Sequence, residues 1–216
     1  MHKSSITGAI LTGGKSSRLG RDKAFETING CRLIDRVILL VARVSETILI
    51  ITSKQKISQY TNLNHKVIAD IYPNRGVLGA IYTGLVHSDT RYTLFVGCDM
   101  PLLNIPLLKH MIGSANKNSF DIIVPELNGM VEPLHAIYSK TCLPAILLLL
   151  EQKKLKVADL FHIVDTKYIC QDEIEQFDKN HLSFLNLNTQ DDIEKANSLI
   201  SQNICDTTQA VIRGFF

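Results

Sequence analysis

Short runs of apolar and β-branched residues alternate along this chain with longer stretches whose apolar positions recur at helical spacing. Ile6–Leu11, Thr47–Thr52, His65–Ala69, Tyr92–Gly97 and Asp121–Val124 read as strands, several of them apolar on both faces as the interior of a parallel sheet requires. Between them, Arg32–Val44 sets Leu33, Val37, Leu40, Val41 and Val44 on one face of a helix, and Val77–His87 does the same with Leu78, Ile81, Tyr82 and Leu85. The repeat is βαβ, which predicts an α/β fold with a mainly parallel central sheet.

Beyond Pro125 the rhythm changes. Asn128-Gly129 is a hairpin-turn signal, Leu134–Tyr138 reads as a returning strand open to antiparallel pairing, and Leu143–Glu151 as a buried helix. Val157–Phe161 predicts a short helix, while Thr166–Cys170 and Phe184–Leu187 predict strands. Thr189 ahead of Asp191-Asp192 has the form of a capped helix start. No repeat, low-complexity tract or long linker interrupts this order, so residues 1–202 read as one domain; residues 203–216 show no clear period and stay unassigned.

Composition narrows the class. With 216 residues, 45% of them hydrophobic, the chain can bury one sizeable core. A formal net charge of +2 provides no general basic field, which disfavours nucleic acid as a partner. The five cysteines form no C-x-x-C pair, which argues against a disulfide framework and a zinc site and suits a reducing cytoplasm. The apolar run Ile6–Leu11 is too short for a secretory leader, and Leu143–Leu150 falls far below the roughly 20 residues of a membrane span.

In an open α/β sheet, ligands collect outside the carboxyl ends of the strands. The corners there hold Gly13-Gly14 with Arg18 and Lys23, then Thr52-Ser53, Asp70 and Cys98-Asp99; a later segment adds Asn186 and Asn188. The first corner, Leu11–Lys23, reads LTGGKSSRLGRDK. Glycines after a strand let backbone N–H groups approach a ligand, and Lys15, Arg18, Arg21 and Lys23 supply the positive charge a polyphosphate needs on leaving water. A Walker A loop fails, because Ala9 stands where its first glycine belongs, and the spacing of Gly13, Gly14 and Gly20 does not fit G-x-G-x-x-G. Asp99 could cap a turn or the next helix; beside a phosphate-binding corner, holding Mg²⁺ is the leading reading, since that ion takes one or two carboxylates plus phosphate oxygens.

Together with LTGGKSSRLGRDK, the blocks VIAD (Val67–Asp70), GVLGAIYTGL (Gly76–Leu85), GCDMP (Gly97–Pro101), EPLHAIY (Glu132–Tyr138) and FLNLNTQDDI (Phe184–Ile193) resemble the molybdenum cofactor guanylyltransferases. The resemblance runs in order over about residues 5 to 200 and implies a three-layer, Rossmann-like sheet of the GT-A-like nucleotidyltransferase kind. It implies that Leu11, Thr12 and Gly13, with Gly14 beside them, hold the nucleotide through the backbone, that Lys23 contacts the nucleotide, and that Arg18 lies near the phosphates. By the same resemblance Asp70 is an acid of the nucleotide site, Thr52 or Ser53 a further contact, Asp99 the Mg²⁺ ligand, and Asn186 and Asn188 line the site near the second substrate. Thr12 stands where the family usually has Ala, and Gly76-Val77-Leu78-Gly79-Ala80 replaces the usual G-P-L-G-G.

The activity so implied is transfer of GMP from GTP to molybdopterin, with Mg²⁺ as cofactor, Arg18, Lys23, Asp99 and Asn188 as the catalytic set, and proteins that mature molybdoenzymes as further partners. The alternatives are a cytidylyl- or sugar-nucleotidyltransferase of the same fold, or a non-catalytic nucleotide-binding protein that delivers the cofactor. His135, a lone histidine in a strand, is either a satisfied core residue or a pterin contact. Asn186 and Asn188 alternate and so would share one strand face, where Asn188 could also cap the last helix. Lys153, Lys154 and Lys156 are either solvated or placed to attract an anionic phosphate.

Overall fold

The computed structural model describes residues 6–12 and 23–201. Gly13, Gly14, Lys15, Arg18 and Arg21, and the tail 203–216, lie outside the described residues. The first strand, β1 (Thr7–Leu11), is buried along its whole length. A small hairpin follows, β2 (Thr27–Ile28) with β3 (Cys31–Arg32), turning on Asn29 and Gly30 at φ 47° and 76°. That pair of left-handed residues is the tight turn an Asn-Gly dipeptide favours. Helix α1 (Leu33–Val41) leads to β4 (Thr47–Thr52) and β5 (Lys66–Ala69). Helix α2 (Gly76–His87) leads to β6 (Tyr92–Gly97), a strand with every residue buried, and then to α3 (Ile105–Lys117).

The remaining elements are β7 (Ile122–Leu127), β8 (Met130–Val131), β9 (His135–Ser139), α4 (Leu143–Glu151), α5 (Ala158–Phe161), β10 (Thr166–Ile169), α6 (Gln171–Glu175) and α7 (Gln190–Ser201). The sheet runs β10-β7-β9-β6-β1-β4-β5, with β8 paired to β7. β1, β4, β5 and β6 are mutually parallel, as are β7 and β10, while β9 lies antiparallel between β6 and β7. The expected α/β architecture is present, with β9 as the returning strand. Phe184–Leu187, expected as a strand, is not one: Leu182–Phe184 is a single 3₁₀ turn and Leu187 joins no ladder. Its apolar residues are held by packing and not by strand pairing, Phe184 against one core cluster and Leu185 and Leu187 in another.

Side chains on successive strand positions feed opposite cores. Ile10, Leu94 and Val96 pack with α1, α3 and α6, whereas Ala9, Leu11 and Phe95 pack with α2, α4 and α5. A third cluster joins α7 to the hairpin through Ile28, Leu33, Leu102, Leu187, Ile193, Ala196 and Ile200. Helix α3 carries a capping signal that the apolar pattern alone does not expose. Asn104 caps it, Oδ1 accepting from the Leu107 N–H at 2.9 Å, with proline in the first turn. None of the four described cysteines, Cys31, Cys98, Cys142 and Cys170, is in a disulfide. No helix among the described residues is long and apolar enough to cross a membrane.

Candidate active site

The chain leaves β1 towards β4 and β5 on one side and returns to place β6 on the other, so the strand order reverses between β1 and β6. A crevice opens outside the carboxyl ends at such a point. Two groups of residues meet there, one on each side of the reversal.

On the β4–β5 side is a cavity of about 600 Å³, lined by Leu11, Thr52, Ser53 and Asp70 from the strand ends and by Gly76 and Val77 from the start of α2. Gly76 sits at φ +64°, a conformation glycine adopts without the clash a Cβ would bring. Asp70 is braced: its Oδ1 accepts from the Tyr72 N–H and the Thr83 hydroxyl, each at 2.9 Å. Thr52 is 1% exposed and its Oγ1 makes no hydrogen bond. Buried hydroxyls are rarely left so, and a polar ligand in the cavity would satisfy it. Thr12 is also buried and binds back to β4, its N–H and hydroxyl both donating to the Ile51 carbonyl at 3.0 and 3.3 Å.

On the β6 side lies a charged group. Asp99 lies two residues past the end of β6, and its Oδ1 packs so close that a Cβ on Gly97 would stand 2.5 Å away. Helix α3 is capped by Asn104, so Asp99 is not its cap. Burial pushes the Asp99 carboxyl up from its ordinary range, against the opposing pull of its own backbone amide and of the Lys23 charge. Lys23 Nζ donates to Asn188 Oδ1 at 2.8 Å. Asn188 does not cap α7: Thr189 does, its hydroxyl accepting from the Asp192 N–H at 3.2 Å, while Asp192 Oδ2 accepts from the backbone of Asn188 and Thr189. This reciprocal box leaves the Asn188 side chain to Lys23.

Asn186 and Asn188 flank Leu187, which is 1% exposed in the α7 cluster and whose N–H donates to the Asp99 carbonyl at 3.0 Å. Their placement thus comes from a buried leucine and not from strand alternation. His135 is wholly buried and stacks on Phe184, ring centroids 4.9 Å apart. Neither ring nitrogen makes a well-formed hydrogen bond, and burial pushes the ring's pKa down to about 4 against the pull of the Asp178 carboxylate. Burial keeps the ring neutral and packs it among core residues, the first of the two readings of this histidine.

Residues 8–164 match a family model described as a MobA-like NTP transferase domain. The chain belongs to the MobA-like NTP transferases. As a member of that family it is a nucleotidyltransferase, and two of its relatives match over nine tenths of its length. It is 30% identical over 199 residues to a probable molybdenum cofactor guanylyltransferase of Natranaerobius thermophilus, covering 91% of this chain and 97% of the relative. With a molybdenum cofactor guanylyltransferase of Desulfosudis oleivorans the identity is 32% over 196 residues, 90% of this chain and 96% of the relative. Molybdopterin-guanine dinucleotide biosynthesis protein A of Archaeoglobus fulgidus superposes with a TM-score of 0.81 at 23% identity, over 91% of this chain and 100% of that one, which speaks for the fold.

Two features of this MobA-like transferase escape a reading by corners. Glu132, in the lead-in to β9, reaches the same charged group: burial raises its carboxyl, opposed by the Leu134 amide and the Asn186 side chain and reinforced by repulsion from Asp99. A single acid between a hairpin and a strand has no spacing partner to announce it. Asp178 is 6% exposed and accepts from the Leu182 N–H, the Ser183 N–H and the Ser183 hydroxyl at 3.0, 2.8 and 2.6 Å. The Asn104 N–H donates to Ser183 Oγ at 3.0 Å and its Nδ2 to the Phe177 carbonyl at 2.9 Å, tying the segment before Asn186 to the start of α3.

Proposed function

We propose that this nucleotidyltransferase transfers GMP from GTP to the terminal phosphate of molybdopterin, releasing pyrophosphate, with Mg²⁺ as cofactor. The observation that carries the reading is the division of the crevice: a cavity walled mainly by apolar and neutral polar residues, with Asp70 and Lys56 as its charged members, on one side of β1, and a compact set of Asp99, Lys23 and Asn188 on the other. The cavity suits a base and the charged set suits phosphates. Asp70 offers only acceptors, and guanine presents adjacent N–H donors along one edge where cytosine presents a single amino group, which supports GTP.

A phosphate monoester is anionic at neutral pH, so the attack on the α-phosphorus needs no activated side chain; the phosphorus–oxygen bond to the leaving pyrophosphate breaks as the new one forms. The protein's part is placement and charge neutralisation. Lys23 meets phosphate oxygens while Asn188 holds its ammonium, and Arg18, Gly13 and Gly14, in the corner after β1, are assigned to the phosphates with it. Asp99 fits a divalent cation: it is a desolvated carboxylate, and its charge helps to raise the carboxyl of a second acid, Glu132, a charge surplus that a cation relieves. When bound there, Mg²⁺ supplies positive charge to phosphate oxygens.

The test is pyrophosphate release from GTP, CTP, ATP and UTP with Mg²⁺, with and without molybdopterin. Release from GTP that requires molybdopterin is expected; preference for CTP would reassign the chain as a cytidylyltransferase, and nucleotide binding without release would make it a delivery protein. Lys23→Ala is expected to weaken GTP binding about 10- to 100-fold, matching the loss of one charge-assisted hydrogen bond of about 1.5–3 kcal/mol. Unchanged affinity, measured by calorimetry, would remove Lys23 from the nucleotide site.

A further inference from the structure

Three separate pieces of chain meet at the charged corner: the end of β6, the lead-in to β9, and the segment around Leu187. The first two are stitched by the Gly97 N–H donating to the Leu134 carbonyl at 3.2 Å, and the first and third by the Leu187 N–H on the Asp99 carbonyl at 3.0 Å. Glu132 stands where the second and third pieces face each other. Its backbone is held at both ends, its N–H donating to the Pro125 carbonyl at 3.1 Å and its own carbonyl accepting from the His135 N–H at 3.2 Å. Its Oε1 accepts from the Leu134 N–H at 3.2 Å, and the Asn186 side chain meets the same carboxylate. A side chain rooted in this way is a rigid post, whereas the Asn186–Asn188 segment belongs to no ladder and is held by the buried Leu187 together with a few polar attachments.

We propose that Glu132 is a positioning residue of the transfer reaction, clamping the Asn186–Asn188 segment against the Asp99 corner so that Asn188 and Lys23 are presented together. This rests on the reading of that corner as the transfer centre. A carboxylate facing Asp99 is repelled by it, and half-burial strengthens the repulsion; an apolar residue there would avoid that cost but could not hold Asn186. The clamp needs an acceptor for the Asn186 amide and does not need a negative charge, which separates it from a role in binding a cation.

The experiment compares Glu132→Ala and Glu132→Gln in the full chain by steady-state pyrophosphate release and by hydrogen exchange at the Leu187 amide. Glu132→Ala is expected to lower kcat about 100-fold, the effect of misplacing a catalytic group by about an ångström, with KM for GTP changed far less because Lys23 itself is retained and the cavity lies on the other side of β1. It should also speed exchange at Leu187. Glu132→Gln keeps an acceptor and is expected to lose no more than about tenfold in kcat, the gap between a charge-assisted and a neutral hydrogen bond, with exchange restored. A glutamine variant as impaired as the alanine one would show that the charge acts directly and overturn the clamp, as would unaltered Leu187 exchange in Glu132→Ala. If the parent protein releases no pyrophosphate from GTP and molybdopterin, the substrate reading fails, and the exchange comparison alone decides whether Glu132 holds the segment.

Discussion

Asp99→Asn is expected to reduce pyrophosphate release by about 1,000-fold or more while leaving the protein at least as stable as its parent. The two halves of this result have one cause. The carboxylate is pushed up by burial and lies opposite a second acid, so at neutral pH its charge costs the folded state free energy. Lys23 offsets part of that cost, and among the described residues only that charge and its own backbone amide compensate it. Asparagine keeps the shape, and the Leu187 bond to the Asp99 carbonyl is untouched because it uses backbone. A position where function opposes stability is what a charge reserved for a bound ligand produces.

The pH dependence follows from the same shift. A carboxyl whose folded-state pKa is raised binds its proton earlier in the folded protein than in the unfolded one, so the folded state is favoured as pH falls through that window and loses the advantage as pH rises. The stability difference between Asp99→Asn and the parent should therefore be largest at neutral pH and shrink on acidification towards the ordinary carboxylate range. Urea titrations at several pH values measure it. A variant less stable than the parent at neutral pH would make Asp99 structural, and retained turnover would remove it from the reaction.

How much of this was legible in the sequence differs between strand ends and the connections among them. Strands apolar on both faces announce a parallel sheet, and once the sheet is given, topology alone brings Leu11, Thr52, Asp70 and Asp99 to one edge. The fully buried β6 and the corner that follows it are the clearest case: a carboxylate after seven consecutive buried residues, Tyr92–Cys98, stands out as a charge at a strand end. Helix α3 was hidden because Gly113, Ser114, Asn116 and Lys117 dilute its apolar face, although Asn104 and the proline after it form a start signal. The hairpin at Asn29-Gly30 carries the same turn chemistry as Asn128-Gly129 but its strands are too short to show alternation. Phe184–Leu187 has the periodicity of a strand because its leucines face a core, and periodicity does not distinguish a paired extended segment from an unpaired one. Glu132 and Asp178 act through contacts between distant parts of the chain, and a single residue carries no trace of such partners.

Asp178→Ala is expected to destabilise the protein by about 3–5 kcal/mol, the largest loss of stability from a single polar substitution in this region. The carboxylate gathers three donors from the 3₁₀ turn at Leu182–Phe184, and Ser183 is fully buried. Removing the acceptor takes the partner from those donors, and Ser183, fully buried, has no exposure to solvent to replace it, at about 1–3 kcal/mol for each group left unsatisfied. Asp178→Asn should fall between: a carboxamide has one acceptor oxygen where the carboxylate uses both, and its amino group would face N–H donors. The damage should reach activity as well. Ser183 is the link to the Asn104 N–H, and Phe184 stacks on His135, so loosening the turn frees the chain that carries Asn186 and Asn188 to their places beside Asp99 and Lys23. At a temperature where Asp178→Asn remains folded, kcat should drop with nucleotide affinity preserved, since none of the cavity's walls comes from this segment. Chemical denaturation measures the first effect and calorimetric GTP binding the second; an Asp178→Ala variant with parental stability would show that the turn is held by packing of Phe184 and Leu187 alone.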